Sequence, residues 1–289
     1  MPSLEIIPLA FESLGVRSCA LSVNTDDVKI VIDPAVALAP NRFSLPPHPM
    51  EKEEKERLWA SVKKHVDAAD VLVVTHYHYD HVEPKEPGLY EGKIAILKHP
   101  QRMINPSQRR RAASFIKSIK GIVGEICYTD KRSYRFGDTE VSFSAPVPHG
   151  FDATRGYVVE VCVEAGETFL YTSDVQGPQL EEHVKFIQEK KPETLFVDGP
   201  STYFDSPFSD FELVRAIRHL IKILRGEGVE RLVIDHHLAR DLEYRVKISP
   251  VIEAGEEVGV WVGVAAEFLD IEPNLLEARR RELYKEADN

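Results

Sequence analysis

The chain has 289 residues, 43% of them hydrophobic and 29% charged, with a formal net charge of −11. This is the composition of a soluble globular protein. The acidic balance argues against wholesale binding of nucleic acid, which depends on many Lys and Arg side chains neutralising phosphates. No run approaches the roughly 18 apolar residues of a membrane span, and the opening residues lack the basic and apolar regions of a signal peptide. Three scattered cysteines, Cys19, Cys127 and Cys162, do not suggest a disulfide framework. A cytoplasmic location is expected, with no membrane partner. Abundant Glu and Lys beside few Asn and Gln point weakly to a heat-adapted source.

The first β-branched run, VKIVID over 28–33, reads as a strand. A Pro-rich stretch over 40–49 follows; its prolines fix φ and withhold donors, so an irregular loop is expected. A long charged helix is predicted over 52–69, with Leu58, Val62 and Val66 on one face. Strands over 71–75 and 93–97 and a helix over 107–119 come next. Strands over 140–145, 156–164 and 168–173 follow, the last pair forming a hairpin that turns at 165–167. A helix over 180–190, a strand over 194–199, a helix over 210–225, a strand over 231–236 and a charged tail helix over 272–286 complete the series. Strands alternating with helices in both halves, with hairpins inside them, predict an α/β fold of two sheets covered by helices. No Gly/Ser/Pro-rich linker divides the halves, so 1–289 is read as one domain.

The stretch VLVVTHYHYDHVEP changes character halfway. Four strand-type residues, Val71 to Val74, deliver His76, His78, Asp80 and His81 within six positions. Zinc takes imidazole nitrogen and carboxylate oxygen, and a catalytic site keeps one position open. In an extended loop residues i and i+2 point the same way, so His76 and His78 can share an ion while Asp80 and His81 face elsewhere and serve a second.

HYHYDH also resembles the HxHxDH signature of the metallo-β-lactamase superfamily, whose fold is a four-layer αβ/βα sandwich, two mixed β-sheets flanked by helices. The resemblance asks for further ligands after later strands. His149 in SAPVPHG, Asp174 in FLYTSDVQG and His236 or His237 in LVIDHHLARD supply them in order. Asp33 in IVIDPA is similar to the superfamily's early, structural Asp. The resemblance implies one ion on His76, His78 and His149, and another on Asp80, His81 and the last His, with Asp174 bridging. His236 is preferred because it leaves the strand directly and its neighbour would face the opposite side; His237 is then left to brace a ligand or touch substrate. Asp80 is assigned the catalytic role of orienting the attacking water.

The implied activity is hydrolysis with two divalent metal ions, zinc first, with iron or manganese also suited to these ligands. A small-molecule ester, lactone or thioester is favoured, and the opening segment is similar to the lactonase-like and archaeal branches. One alternative is a nuclease or phosphodiesterase, although the 61 residues between Asp174 and His236 leave no room for a long β-CASP insertion. Another is a non-enzymatic, metal-stabilised scaffold. Arg155, Asp198, Tyr203 and Arg240 are candidates for bracing ligands or contacting substrate. Arg109, Arg110, Arg111, Lys117 and Lys120 form a basic helix, either solvated or an anion clamp. His48, His65, His99, His183 and His219 belong to no motif and are read as surface or packing residues.

Overall fold

A computed structural model describes residues 4–203 and 207–287. The first sheet takes its strands in chain order: β1 (Glu5–Phe11), β2 (Cys19–Asn24), β3 (Lys29–Ile32), β4 (Val71–Val74), β5 (Ile94–Leu97) and β6 (Glu125–Tyr128). β1 to β3 are antiparallel neighbours, whereas β3 to β6 run parallel. Every residue of β4 is buried, as a parallel strand covered on both faces requires.

The later strands are β7 (Ser133–Phe136), β8 (Thr139–Phe143), β9 (Val147–Pro148), β10 (Tyr157–Val158), β11 (Val161–Ala165), β12 (Glu167–Tyr171), β13 (Thr194–Asp198), β14 (Arg231–Asp235) and β15 (Trp261–Gly263). β9 pairs with β10, and the remaining seven form a second sheet in the order β15-β14-β13-β12-β11-β8-β7. It too is antiparallel over β7, β8, β11 and β12 and parallel from β12 to β15. The sheets meet over a shared apolar core, with Phe11 of β1 and Phe196 of β13 at 6.0 Å between ring centroids.

Helices α1 (Pro49–Ala68) and α2 (Pro106–Ile119) cover the first sheet, while α3 (Glu181–Lys190) and α4 (Pro207–Leu224) cover the second. The short α5 (Tyr244–Lys247) leads into α6 (Ser249–Val258), which packs on α4 and β15; α7 (Ala265–Phe268) and α8 (Arg280–Ala287) end the chain. The result is a helix–sheet–sheet–helix sandwich. α1 starts where His48 accepts from Met50 N and Glu51 accepts from His48 N, with Pro49 at the first turn. α2 starts at Asn105, whose side chain accepts from Gln108 N at 2.8 Å. Among the described residues no helix is long and apolar enough to cross a membrane.

Three expectations need correction. The run over 156–164 is two strands, because the chain leaves β10 at Val159 and Glu160 before joining the second sheet as β11. The tail is helical only from Arg280: Pro273 breaks it, and Asn274 N is taken by Ser13 O at 2.7 Å. β1, β2, β6, β7 and β15 had not been anticipated at all. The hairpin turn is as expected, with Ala165 paired to Glu167.

Candidate metal centre

The carboxyl ends of β3, β4, β12, β13 and β14 open onto one edge of the sandwich; Asp33, His76, Asp174 and His236 follow the first three and the last, and Asp198 ends β13. His149 arrives there from β9. The backbone is held in unusual conformations at this edge. Asp33, Ser173, Gln176 and His236 all have positive φ, between 50° and 58°. Non-glycine residues in the left-handed region are uncommon and cost of order 1–3 kcal/mol where strained. Gly150, at φ 89°, keeps the chain after His149 close to Gln176; a Cβ there would lie 2.4 Å from Gln176 Oε1.

His76, His78, His149 and Asp174 form a first group, their ligand atoms all within 4.8 Å of one another. His76 Nε2 faces His78 Nδ1 at 3.1 Å and Asp174 Oδ2 at 3.6 Å, while His149 Nε2 lies 3.2 Å from the same oxygen. Four ligands around a tetrahedral ion at about 2.0–2.1 Å stand roughly 3.3 Å apart, so these spacings fit a single ion. Among the described residues, neither ring nitrogen of the buried His149 has a hydrogen-bond partner. Buried polar atoms are rarely left so unless something absent from the protein chain satisfies them. Burial, reinforced by the neighbouring imidazoles, holds His76 well below its ordinary pKa and His78 down to about 4. Both are therefore neutral near pH 7, the form that binds a metal.

A second group adjoins the first through Asp174. His81 Nε2 is 3.0 Å from Asp174 Oδ1, and His236 Nε2 is 3.5 Å from Oδ2 and 3.8 Å from Asp80 Oδ2. His81 Nε2 and Asp174 Oδ1 are also buried without a hydrogen-bond partner. Each imidazole is aimed by a carboxylate behind it: His81 Nδ1 contacts Asp33 Oδ2 at 2.7 Å, and His236 Nδ1 contacts Glu12 Oε2 at 2.8 Å. Asp33 further accepts from Thr75 N and Thr75 Oγ1, at 2.8 and 2.7 Å, and from Tyr171 OH at 3.2 Å. Carboxylates in this position fix the ring tautomer and orientation of metal-binding histidines. Arg240 is buried, pairs with Glu12 through Nε, and places Nη2 3.1 Å from His236 Nε2.

No family model matches the chain. Over 285 residues it is 48% identical to the UPF0282 protein of Korarchaeum cryptofilum, spanning 98% of this chain and 95% of that one. The chain belongs to the UPF0282 family. Among solved structures, this UPF0282 chain is similar to the isothiocyanate hydrolase from Delia radicum gut bacteria, with a TM-score of 0.53 at 18% identity over 91% of this chain and 96% of that one. It is also similar to yeast PDE1, with a TM-score of 0.54 at 11% identity over 91% and 98% of the respective chains. Likenesses at these identities speak for the fold, and with the layered architecture they show it to be the metallo-β-lactamase fold.

The remaining candidates of this UPF0282 chain fall into place around the two groups. His237 does not face away, as alternation along an extended strand would require: the left-handed turn at His236 keeps both rings at the site, 4.6 Å apart. His237 Nδ1 bonds Asp198 Oδ1 at 2.9 Å, and its Nε2 lies 3.2 Å from Gln176 Nε2. Arg155 is exposed and meets Gln176, with Nη1 3.2 Å from Oε1. The Tyr203 hydroxyl accepts from Arg240 Nη1 at 3.4 Å, and the Arg42 guanidinium lies 4.4 Å over its ring. From α2, Arg111 donates to Tyr77 O at 3.3 Å and stacks 4.5 Å over Tyr79, whereas Arg109, Arg110, Lys117 and Lys120 are exposed to solvent.

Sequence inspection missed Glu12, Cys19, Gln108 and Gln176. Gln108 accepts from Tyr77 N at 3.3 Å, places Nε2 3.4 Å from His78 Nε2, and so steadies the histidine loop. None of these residues carries a local motif. Glu12 and His236 stand 224 positions apart, and only the packed sheets bring them together.

Proposed function

We propose that this protein is a metal-dependent hydrolase with a dinuclear centre, acting on a small molecule of the ester, lactone or thioester class. The observation that carries the reading is the pair of buried His/Asp groups sharing Asp174, with ligand atoms at ion-sized spacing and several lacking any protein partner. His76, His78 and His149 would hold one ion; Asp80, His81 and His236 the other; Asp174 would serve both. Two bound divalent ions supply Lewis acidity and lower the pKa of water toward neutrality, with zinc the first choice.

The chain's own residues do the rest. Glu12 and Asp33 hold His236 and His81 in one tautomer. Asp80 is the least enclosed carboxylate of the site, at 19% side-chain exposure, and is placed to orient an attacking water and pass on its proton. Arg240 and Tyr203 offer donors beside the second group, suited to the negative charge that develops on a substrate oxygen. That one structural neighbour is an isothiocyanate hydrolase and another a yeast PDE is consistent with hydrolytic use of this fold. A phosphodiesterase activity is the second reading, and Arg111, with its guanidinium over Tyr79 at the rim, is what favours it. The other basic residues of α2, Arg109, Arg110, Lys117 and Lys120, are exposed to solvent.

The test is metal content per chain by mass spectrometry on protein purified without chelator, beside Asp174→Ala. The expected result is about two ions in the parent and a clear loss in the variant. A parent that stays metal-free after incubation with zinc, iron or manganese would overturn the reading. The loaded protein is then screened against esters, lactones, thioesters and phosphodiesters.

A further inference from the structure

We propose that Cys19 is a ligand of the second metal, so that this centre is a mixed nitrogen, oxygen and sulfur site. The inference rests on the metal reading above and adds a ligand to it. Cys19 opens β2, is only 1% exposed, and its thiol joins His81, Asp174 and His236 in a set whose ligand atoms all lie within 4.8 Å of one another.

The simpler account is a small apolar filler, since buried thiols often are, and Phe11, Tyr171 and Phe196 do surround it. Its polar neighbours argue otherwise. His81 and Asp174 are both more than nine-tenths buried, and His81 Nε2 and Asp174 Oδ1 lack hydrogen-bond partners. The far nitrogens of His81 and His236 are already engaged by Asp33 and Glu12, so the near nitrogens face the ion, His236 Nε2 with Arg240 Nη2 beside it at 3.1 Å. A thiol on a rigid strand at the floor of that group closes it from the buried side. Asp80 is partly exposed, 3.8 Å from His236 Nε2. With sulfur added to the set, Asp80 keeps its place as a ligand that also faces water.

Binding would displace the thiol proton to solvent and form one metal–sulfur bond. A thiolate also changes what the site prefers: it selects zinc, cobalt or iron over magnesium, calcium or manganese, which favour oxygen. The two halves of the centre would then differ in metal preference, His76, His78 and His149 offering imidazole only.

The test uses the full chain carrying Cys127→Ser and Cys162→Ser, so that Cys19 is its one thiol, stripped of metal and titrated with cobalt(II). The expected result is a near-ultraviolet thiolate-to-cobalt charge-transfer band that grows with the second equivalent, beside the visible bands of bound cobalt. Adding Cys19→Ser should abolish that band, keep the visible bands of the first ion, and weaken the second equivalent by on the order of tenfold or more. Cobalt bound at two equivalents without the band overturns the thiolate assignment and leaves the dinuclear reading standing. Failure of cobalt to bind at all overturns both. If the Cys19→Ser protein does not fold, the spectrum of the single-thiol protein decides alone.

Discussion

Glu12 shows how much of the site's chemistry lies one residue behind the ligands. It holds the Nδ1 side of His236 through one oxygen and the Arg240 guanidinium through the other, so a single buried carboxylate aims an imidazole and anchors a cation. Loss of such a carboxylate typically weakens metal binding by about 10- to 100-fold. Glu12→Gln keeps the shape and removes the charge. Chelator competition should show the second ion weakened by that order while the first, held by His76, His78 and His149, keeps its affinity. Equal weakening of both ions would mean that Glu12 supports the fold and not His236 specifically. The partners of Arg240 also bear on loading: its Nη2 stands beside the nitrogen that a second ion would take, so that guanidinium has to yield as the ion binds.

At the scale of elements, what could be read from the sequence and what could not divide along physical lines. Core strands such as β4, β13 and β14 are unbroken β-branched runs, and helices such as α2 carry their caps in sequence, so both were legible. β1 was hidden because Pro8 sits within it; it lies at the edge of its sheet, where a missing donor is tolerated. β7 was hidden because its residues are half exposed and give no apolar run. The candidate ligands could be picked out because they follow strands and the HxHxDH spacing is compact. Of the residues that orient them, Asp33 was legible at the end of its own strand, whereas Glu12 was not, since it meets His236 across 224 positions.

The break between β10 and β11 carries a consequence of its own. Glu160 is wholly buried there, and both carboxyl oxygens lack partners because the nearby Ser144 hydroxyl donates to Ala145 O. Burial pushes its pKa well above the ordinary glutamate value. The folded chain therefore keeps this proton at pH values where the unfolded chain, with a pKa of about 4.3, has lost it. Stability from this residue is full below that value and falls as pH rises through the folded pKa. Glu160→Gln cannot ionise, so denaturation at pH 5 and pH 8 should show a smaller decline than the parent and a gain at pH 8. A parent and variant with the same slope would mean that Glu160 is solvated in the folded protein.

Over the whole molecule, buried ion pairs tie the last segment to the first. Arg280 is fully buried and donates to both oxygens of Glu51 at 2.7 Å, as well as to the carbonyls of Leu45 and Ala39 at 3.1 Å. Arg17 grips Glu277 with two contacts of 2.6 Å. Removing one partner of a buried pair strands the other in an apolar setting and costs about 3–5 kcal/mol. Arg280→Ala should lose stability of that order in urea denaturation, with α8 released from α1 and the Pro-rich loop. A loss below about 1 kcal/mol would show that water replaces the guanidinium at little cost.

The ligands of the centre are spread along the chain from His76 to His236, with Cys19 and Glu12 far upstream. During synthesis the histidine loop emerges early, with His149 73 residues after His76, Asp174 98 after it and His236 160 after it. No nascent fragment short of His236 can hold the second ion in its full set. On the proposed ligand sets, the imidazole set is complete in the chain at His149 and the second set only at His236, so the order in which the two could form follows the order of the sequence.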